Sequence, residues 1–241
     1  MLATWPDHWR RALRRVRYLG WARYCPLCGS HVRLFFPHGV VQRPNAVCPV
    51  CHSRDRHRLA WLWLQTHTAL GRASMRMLHI APEPVVARRL QALPRLLYVS
   101  GDLVHHATVQ MDVCRMPFAA NSFDLVYCSH VLNMLPDDQP AMTEIFRVLS
   151  PGGLALLQVP TPVAGRGVEA GPVSTKDQRQ HLFGDPDMYR RYGADELTTR
   201  LRGAGFDASP VHYWHSFSED EQLRLGLIDE PLHVCFKPAT P

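Results

Sequence analysis

Four cysteines stand in two tight pairs, Cys25-Pro-Leu-Cys28 and Cys48-Pro-Val-Cys51, with nineteen residues between the pairs. Each Cys-x-x-Cys turn delivers two thiolates, and tetrahedral zinc takes four soft ligands at about 2.3 Å. The spacing therefore predicts a four-thiolate zinc knuckle pair. Four protein ligands leave no open coordination position, so the expected role of Zn2+ is structural and the chemistry lies elsewhere. The other three cysteines (Cys114, Cys128 and Cys235) stand singly in apolar surroundings, and an odd total of seven fits a disulfide framework poorly. His31, His38, His52 and His57 lie close to the pairs and read as surface or hydrogen-bonding residues rather than ligands.

A second constellation follows short apolar runs: His79-Ile-Ala-Pro-Glu83, Gly101-Asp102-Leu103, Met111-Asp112-Val113 and Cys128-Ser129-His130. In an open α/β sheet, ligands bind beyond the carboxyl ends of the strands, near the point where strand order reverses. An acid ending the second strand, Asp102, suits the two hydroxyls of a ribose. Asp112 followed by Val113 suits an adenine amine beside a packing surface. One such acid alone would be a turn or surface charge; the repetition at successive strand ends makes a nucleoside cradle.

These groups need a scaffold, and the apolar pattern supplies one. Residues 6–19 interleave arginines with Trp9, Leu13, Val16 and Leu19, the pattern of a short amphipathic helix with a basic face. Between the cysteine pairs, Val32-Arg-Leu-Phe-Phe and Gly39-Val-Val read as short strands, with turns at Pro37-His38-Gly39 and Pro44-Asn45. A helix is expected over 54–70, stopped by Gly71. From Met75 onward strands alternate with helices: strands at 77–81, 96–100, 108–111, 123–129, 154–159, 211–214 and 232–236, and helices at 85–93, 139–149 and 194–204. Such alternation predicts a mainly parallel sheet covered on both faces. The glycine- and proline-rich stretch 160–193 breaks the rhythm and reads as an irregular lid over a substrate. The expected organisation is a basic helix (1–24), a zinc ribbon (25–58), a connecting helix (59–74) and a catalytic domain (75–241).

Composition narrows the classes. With 241 residues, 46% apolar and 20% charged, the chain is globular rather than disordered. No apolar run approaches a membrane span, and the N-terminus lacks the long apolar stretch of a secretory signal, so a soluble cytoplasmic chain without membrane association is expected. Twenty-seven basic against twenty-one acidic residues give a net charge of +6, carried mostly by arginine. Arg10, Arg11, Arg14, Arg15, Arg17, Arg23, Arg54, Arg56 and Arg58 form either an arginine-biased surface or a patch that meets phosphate.

Three stretches, Val109-Gln-Met-Asp-Val-Cys-Arg-Met-Pro-Phe, Asn121-Ser-Phe-Asp-Leu-Val-Tyr-Cys-Ser-His-Val-Leu and Phe146-Arg-Val-Leu-Ser-Pro-Gly-Gly-Leu, carry a resemblance. Here the chain resembles class I S-adenosylmethionine-dependent methyltransferases, specifically a small bacterial group with an N-terminal zinc ribbon, closely over residues 75–160 and loosely beyond. The resemblance implies a Rossmann-like seven-stranded sheet, S-adenosylmethionine as methyl donor and Asp102 on its ribose. His79, Ala81, Glu83, Leu103, Asp112, Val113, Ser129 and His130 complete the expected donor site. Two departures stand out. The family's glycine-rich first loop is here His79-Ile-Ala-Pro-Glu-Pro, in which Glu83 either accepts from the methionyl ammonium or caps the following helix. Asn133-Met134 replaces the Glu-His that many relatives carry.

Methyl transfer from a sulfonium is a direct displacement governed by alignment, and a base is needed only when the acceptor sheds a proton. His130 is the candidate base, or else a donor contact; Asn133, His181, Tyr189 and Tyr192 are candidates to shape the acceptor pocket. Three functions compete. The first is N- or O-methyl transfer to a small molecule. The second is RNA methylation, with the ribbon and arginines on phosphates. The third is a non-catalytic zinc-ribbon interaction protein on a degenerate scaffold, which retention of Asp102 and Asp112 argues against. The zinc module offers few aromatics on a stacking face, Phe35 and Phe36 being expected to pack inward, so a small-molecule acceptor is favoured.

Overall fold

The computed structural model describes residues 6–39, 42–160, 167–169 and 174–239. The chain divides into two compact units: Met1–Thr68 with Pro84–Ala92 and Tyr213–Asp229, and Ala69–Glu83 with Leu93–His212 and Glu230–Pro241. The division is therefore not linear. Two later segments, one of them more than a hundred residues downstream, belong with the cysteine-bearing N-terminus.

The first unit holds α1 (Asp7–Arg17), β1 (Leu19–Cys25), β2 (Ser30–Val32), β3 (Phe36–His38), β4 (Arg43–Val47), α2 (Asp55–His67) and α3 (Pro84–Gln91). Strands β1 and β2 form one antiparallel pair and β3 and β4 another. Pro44-Asn45, expected to turn, lies inside β4, where Asn45 at a left-handed φ of 57° bends the strand locally and the β3–β4 register shifts. Of the expected Gly39-Val-Val strand, residues 40 and 41 lie outside the described residues. Helix α2 ends at His67, short of the expected stop at Gly71, because Thr68 leaves helical geometry and donates through its hydroxyl to Leu64.

Arg58 organises this unit. It is fully buried and donates to the carbonyls of Asn45, Ala46, Ser53, Leu225 and Gly226, with its guanidinium 4.2 Å from the Phe35 ring centroid. Five carbonyls replace the water that a buried cation gives up. Arg56 is also buried, so the surface reading of these two arginines is wrong. Gly226 follows α7 (Glu219–Leu225), a helix absent from the sequence reading. Gly226 has φ of 58°, and a Cβ there would meet Phe35, Arg58 and the Asn45 carbonyl at 2.6–2.7 Å.

The second unit is built on a seven-stranded sheet. Its strands are β5 (Met75–Ile80), β6 (Leu96–Asp102), β7 (Val109–Gln110), β8 (Phe123–Ser129), β9 (Leu149–Gln158), β12 (Asp207–Val211) and β13 (Leu232–Phe236). Their order is β12-β13-β9-β8-β5-β6-β7. Strands β5 to β9 run parallel, while β13 is antiparallel to both β9 and β12. The chain moves outward from β5 to β7 and then returns to β8 on the other side of β5, so strand order reverses between β5 and β8. Strand β8 is buried on both faces apart from Asp124 near its start, as a central parallel strand must be.

Helix α4 (Gln139–Val148) sets Ala141, Met142, Ile145 and Val148 against one face of the sheet, at helical spacing. Helix α6 (Glu196–Gly203) adds Leu197 and Leu201 to the same core. Tyr213–Ser216 forms a short 3-10 turn rather than extending β12 to Trp214. Within 160–193, expected to be irregular, α5 (Lys176–Phe183) is closed by a Thr175–Gln178 capping box and by Gly184 at φ 74°. The short strands β10 (Val168–Glu169) and β11 (Arg190–Arg191) pair beside it; residues 161–166 and 170–173 lie outside the described residues.

Candidate functional site

Parallel pairing brings four strand ends to one edge of the second unit. Ile80 is level with Gly101 and Cys128, Asp102 with Gln110, and Ser129 with Gln158. The expected residues of the four strand ends thus share the edge that flanks the reversal between β5 and β8.

Asp102 ends β6 with a side chain only 10% exposed. Its Oδ1 accepts from the backbone N–H groups of Val104 (2.8 Å) and His105 (2.6 Å), which fixes the carboxylate. Oδ2 has no partner among the described residues and is free to accept from a ligand. Gly101 beside it lets the Met111 side chain pack directly on the backbone; a Cβ there would force that side chain to move. Asp112 is exposed, its Oδ1 accepting from Cys114 N–H (2.8 Å), while Val113 packs in the core and Leu103 is exposed.

After β5 the chain turns at Ala81, which adopts φ of 49° and donates its N–H to the Gly101 carbonyl at 2.8 Å. A left-handed alanine supplies the turn that glycine would make more cheaply. His79 is fully buried, with Nδ1 2.9 Å from the Tyr98 hydroxyl and Nε2 3.1 Å from Glu83 Oε2. Both ring nitrogens are therefore used inside the protein. His79 does not face a ligand as expected; it supports Glu83 from beneath the loop. Burial pushes the Tyr98 phenol upward.

At the end of β8, Ser129 is buried with an Oγ that has no partner among the described residues. His130 has φ of 58° and donates its N–H to the Gln158 carbonyl at 2.8 Å. Asn133, in the following turn, is fully buried, and neither amide atom has a partner among the described residues. Its carbonyl accepts from Tyr189 N–H.

The remaining candidates scatter. His181 is exposed on α5. Tyr189 is half-buried with the Arg179 guanidinium 4.2 Å from its ring centroid. Tyr192 is in the core and donates to Asp138 Oδ2 at 2.7 Å, so its hydroxyl serves the interior and not an open pocket. Sequence reasoning missed Asp138, Gln158 and Glu230, because nothing marks which isolated polar residues a sheet will bury.

In the first unit, Cys25, Cys28, Cys48 and Cys51 bring their sulfurs within 4.8 Å of one another. Cys25 and Cys51 lie 3.7 Å apart and Cys28 and Cys48 3.9 Å. A tetrahedral ion with sulfur ligands at about 2.3 Å needs sulfur–sulfur edges of about 3.8 Å. The cluster fits such an ion. Ser53 Oγ stands 3.2 Å from both Cys25 and Cys51, and Ser30 Oγ 3.3 Å from Cys28, a second layer of polar contacts. Hydrogen bonds from the neighbouring thiols hold Cys25 well below the ordinary thiol range. Among the nearby histidines, His57 accepts from Arg54 N–H at the start of α2, and His31 packs against Trp21 and Tyr24.

A sequence profile describing a methyltransferase domain matches residues 66–157. The ubiquinone/menaquinone biosynthesis C-methyltransferase UbiE of Desulfotalea psychrophila is 28% identical over 115 residues, 42% of this chain and 46% of that enzyme. The dimethylglycine N-methyltransferase of Parasynechococcus marenigrum is 28% identical over 167 residues, 66% of this chain and 59% of that enzyme. The chain thus spans about half the length of these curated relatives. Among solved structures, an S-adenosylmethionine-dependent methyltransferase from Mesorhizobium loti matches with a TM-score of 0.51 at 14% identity, covering 74% of this chain and 97% of that one. Phosphoethanolamine N-methyltransferase 2 of Haemonchus contortus, solved with S-adenosyl-L-methionine, matches with a TM-score of 0.51 at 17% identity, covering 75% of this chain and 52% of that one. At these identities the two structures establish the fold alone.

Proposed function

We propose that this chain, which belongs to the class I S-adenosylmethionine-dependent methyltransferases, transfers the donor's methyl group to nitrogen or oxygen of a small molecule. One observation carries the reading: Asp102 is locked by two backbone N–H groups with Oδ2 left over, beside the reversal in strand order. In this reading Asp102 accepts from the ribose hydroxyls, Asp112 from the adenine amine, and Val113 and Leu103 flank the base. Ala81 lets the loop pass close to the donor, Glu83 accepts from its ammonium, and Ser129 and His130 line the sulfonium side. Transfer itself is a displacement, to which these residues contribute alignment and exclusion of water. The acceptor named for the Parasynechococcus relative, dimethylglycine, is a small molecule, which supports a small-molecule acceptor here.

The four cysteines hold Zn2+ in this proposal, and the ion's part is structural, because all four positions of a tetrahedron are taken by protein. A second reading, an RNA acceptor, is favoured by one feature: Arg11, Arg15, Arg88 and Arg89 line a hollow of about 240 Å³ in the first unit. Calorimetric titration with S-adenosylmethionine, followed by incubation of protein and methyl-labelled donor with a small-molecule extract of the source cells, tests the main reading. Micromolar donor binding and a labelled product are expected, and absence of donor binding overturns it. Salt titration against total RNA decides between acceptors, since phosphate contacts make affinity fall steeply with salt. A flat response removes the RNA reading.

A further inference from the structure

His130 has a partner that lies a hundred residues away. Glu230, in the segment leading to β13, is 1% exposed and places Oε1 3.4 Å from His130 Nε2. The same oxygen is 3.5 Å from Gln158 Nε2, and Gln158 Oε1 accepts from the Tyr127 hydroxyl at 2.9 Å. Tyr127 and Gln158 are buried on adjacent strands, so the carboxylate meets a supported donor on one side and the imidazole on the other. Glu83, which follows β5 at the same edge, is paired with His79.

An ionised carboxylate out of water has to be met by hydrogen-bond donors. Gln158 provides one through its amide. His130 provides the other only when Nε2 carries the proton, and a neutral imidazole then has its lone pair on Nδ1. His130 Nδ1 has no hydrogen bond among the described residues, and its side chain is 21% exposed. The left-handed backbone of His130 fixes the ring at this edge of the sheet at some conformational cost.

We infer that Glu230 is the positioning residue of His130, holding the Nε2–H tautomer so that Nδ1 takes the proton from a protic methyl acceptor. The inference rests on the methyl-transfer reading. A lone pair on the acceptor atom forms the new bond to the methyl carbon. The carbon–sulfur bond of the donor breaks, and its electron pair goes to sulfur. The acceptor's proton passes to Nδ1, and the imidazolium is stabilised by Glu230. The substrate class that follows is an amine that carries N–H, or a hydroxyl, and not a thioether or a tertiary amine such as the dimethylglycine named for the Parasynechococcus enzyme.

Nitrogen-15 NMR of the full, metal-loaded chain with labelled histidine tests the arrangement, His130→Gln assigning the signal. The expected spectrum shows a slowly exchanging proton on Nε2 and a bare Nδ1. In Glu230→Leu that proton should exchange at least about tenfold faster. If this variant fails to fold, Glu230→Gln, which keeps the shape and loses the charge, should show a smaller acceleration of the same sign. A proton on Nδ1 in the wild type, or unchanged protection in the variants, overturns the positioning role. In the labelling assay His130→Gln should incorporate about a hundredfold less methyl, and incorporation at the wild-type level overturns the base role. Donor titration of the same proteins separates the premises: a wild type that binds no S-adenosylmethionine sinks the methyl-transfer reading and the base role with it, whereas the tautomer stands on the spectrum alone.

Discussion

Tyr192 and Asp138, fifty-four residues apart in the chain, meet through a 2.7 Å hydrogen bond in the interior of the second unit. Asp138 is fully buried and also takes Arg190 at 2.7 Å and Arg200 at 3.1 Å. Burial, then the charge of Asp138, pushes the Tyr192 phenol well above its ordinary range. The carboxylate ties the turn before α4 to the segment leading into α6. Removing one member of a buried charged cluster leaves the others uncompensated, so Asp138→Asn should lower stability by about 3 kcal/mol in urea denaturation. Tyr192→Phe should cost about 1 kcal/mol. Equal, negligible losses would show that the cluster contributes nothing.

Asp102 separates binding from folding. Asp102→Asn retains Oδ1 for Val104 and His105 but replaces the spare acceptor with a donor. Calorimetry should find S-adenosylmethionine affinity reduced about 10- to 100-fold, with the melting temperature within a few degrees of wild type. Unchanged affinity refutes the ribose assignment.

Metal analysis of purified protein should return close to one zinc per chain. Cys25→Ser, or a strong chelator, should lower the melting temperature sharply, since the binding energy of a structural zinc is folding energy, on the order of 10 kcal/mol. A protein that keeps its melting curve after zinc removal contradicts the structural role.

His233 sets a pH limit. It is 1% exposed on β13, neither ring nitrogen has a partner among the described residues, and burial lowers its imidazole to about 4. In the unfolded chain the ring titrates near 6.5. Between those values the unfolded state binds the extra proton. The stability from keeping this ring neutral is therefore complete above about pH 6.5 and falls as pH drops toward 4, by about 3 kcal/mol. His233→Leu should flatten that part of the stability–pH curve; an unchanged slope assigns the acid sensitivity to other groups.

Asn133 offers a test of the proposed acceptor side. Both amide atoms are buried without a partner among the described residues. If a ligand satisfies them, Asn133→Leu should leave stability unchanged or raise it by about 1 kcal/mol while methyl incorporation falls. A loss of stability with activity intact makes Asn133 a structural residue.

The sequence by itself determined what depends on neighbours along the chain. Cys-x-x-Cys spacing fixes two thiolates per turn, apolar runs such as 123–129 declare buried parallel strands, and an acid after a strand declares a strand end. It therefore supplied the four cysteines, the alternating α/β architecture, and Asp102 and Asp112. A local signal also exists for α5, the Thr175–Gln178 capping box, set among glycines and prolines. Tertiary structure alone decided which polar residues lose their water. Arg58 reads as surface charge until five carbonyls converge on it, His79 reads as a ligand contact until Tyr98 and Glu83 take both nitrogens, and Glu230 carries no signal until the sheet brings it to His130. The desolvation of a side chain is a property of everything packed around it, contributed by segments far apart in sequence, and no local pattern encodes that sum.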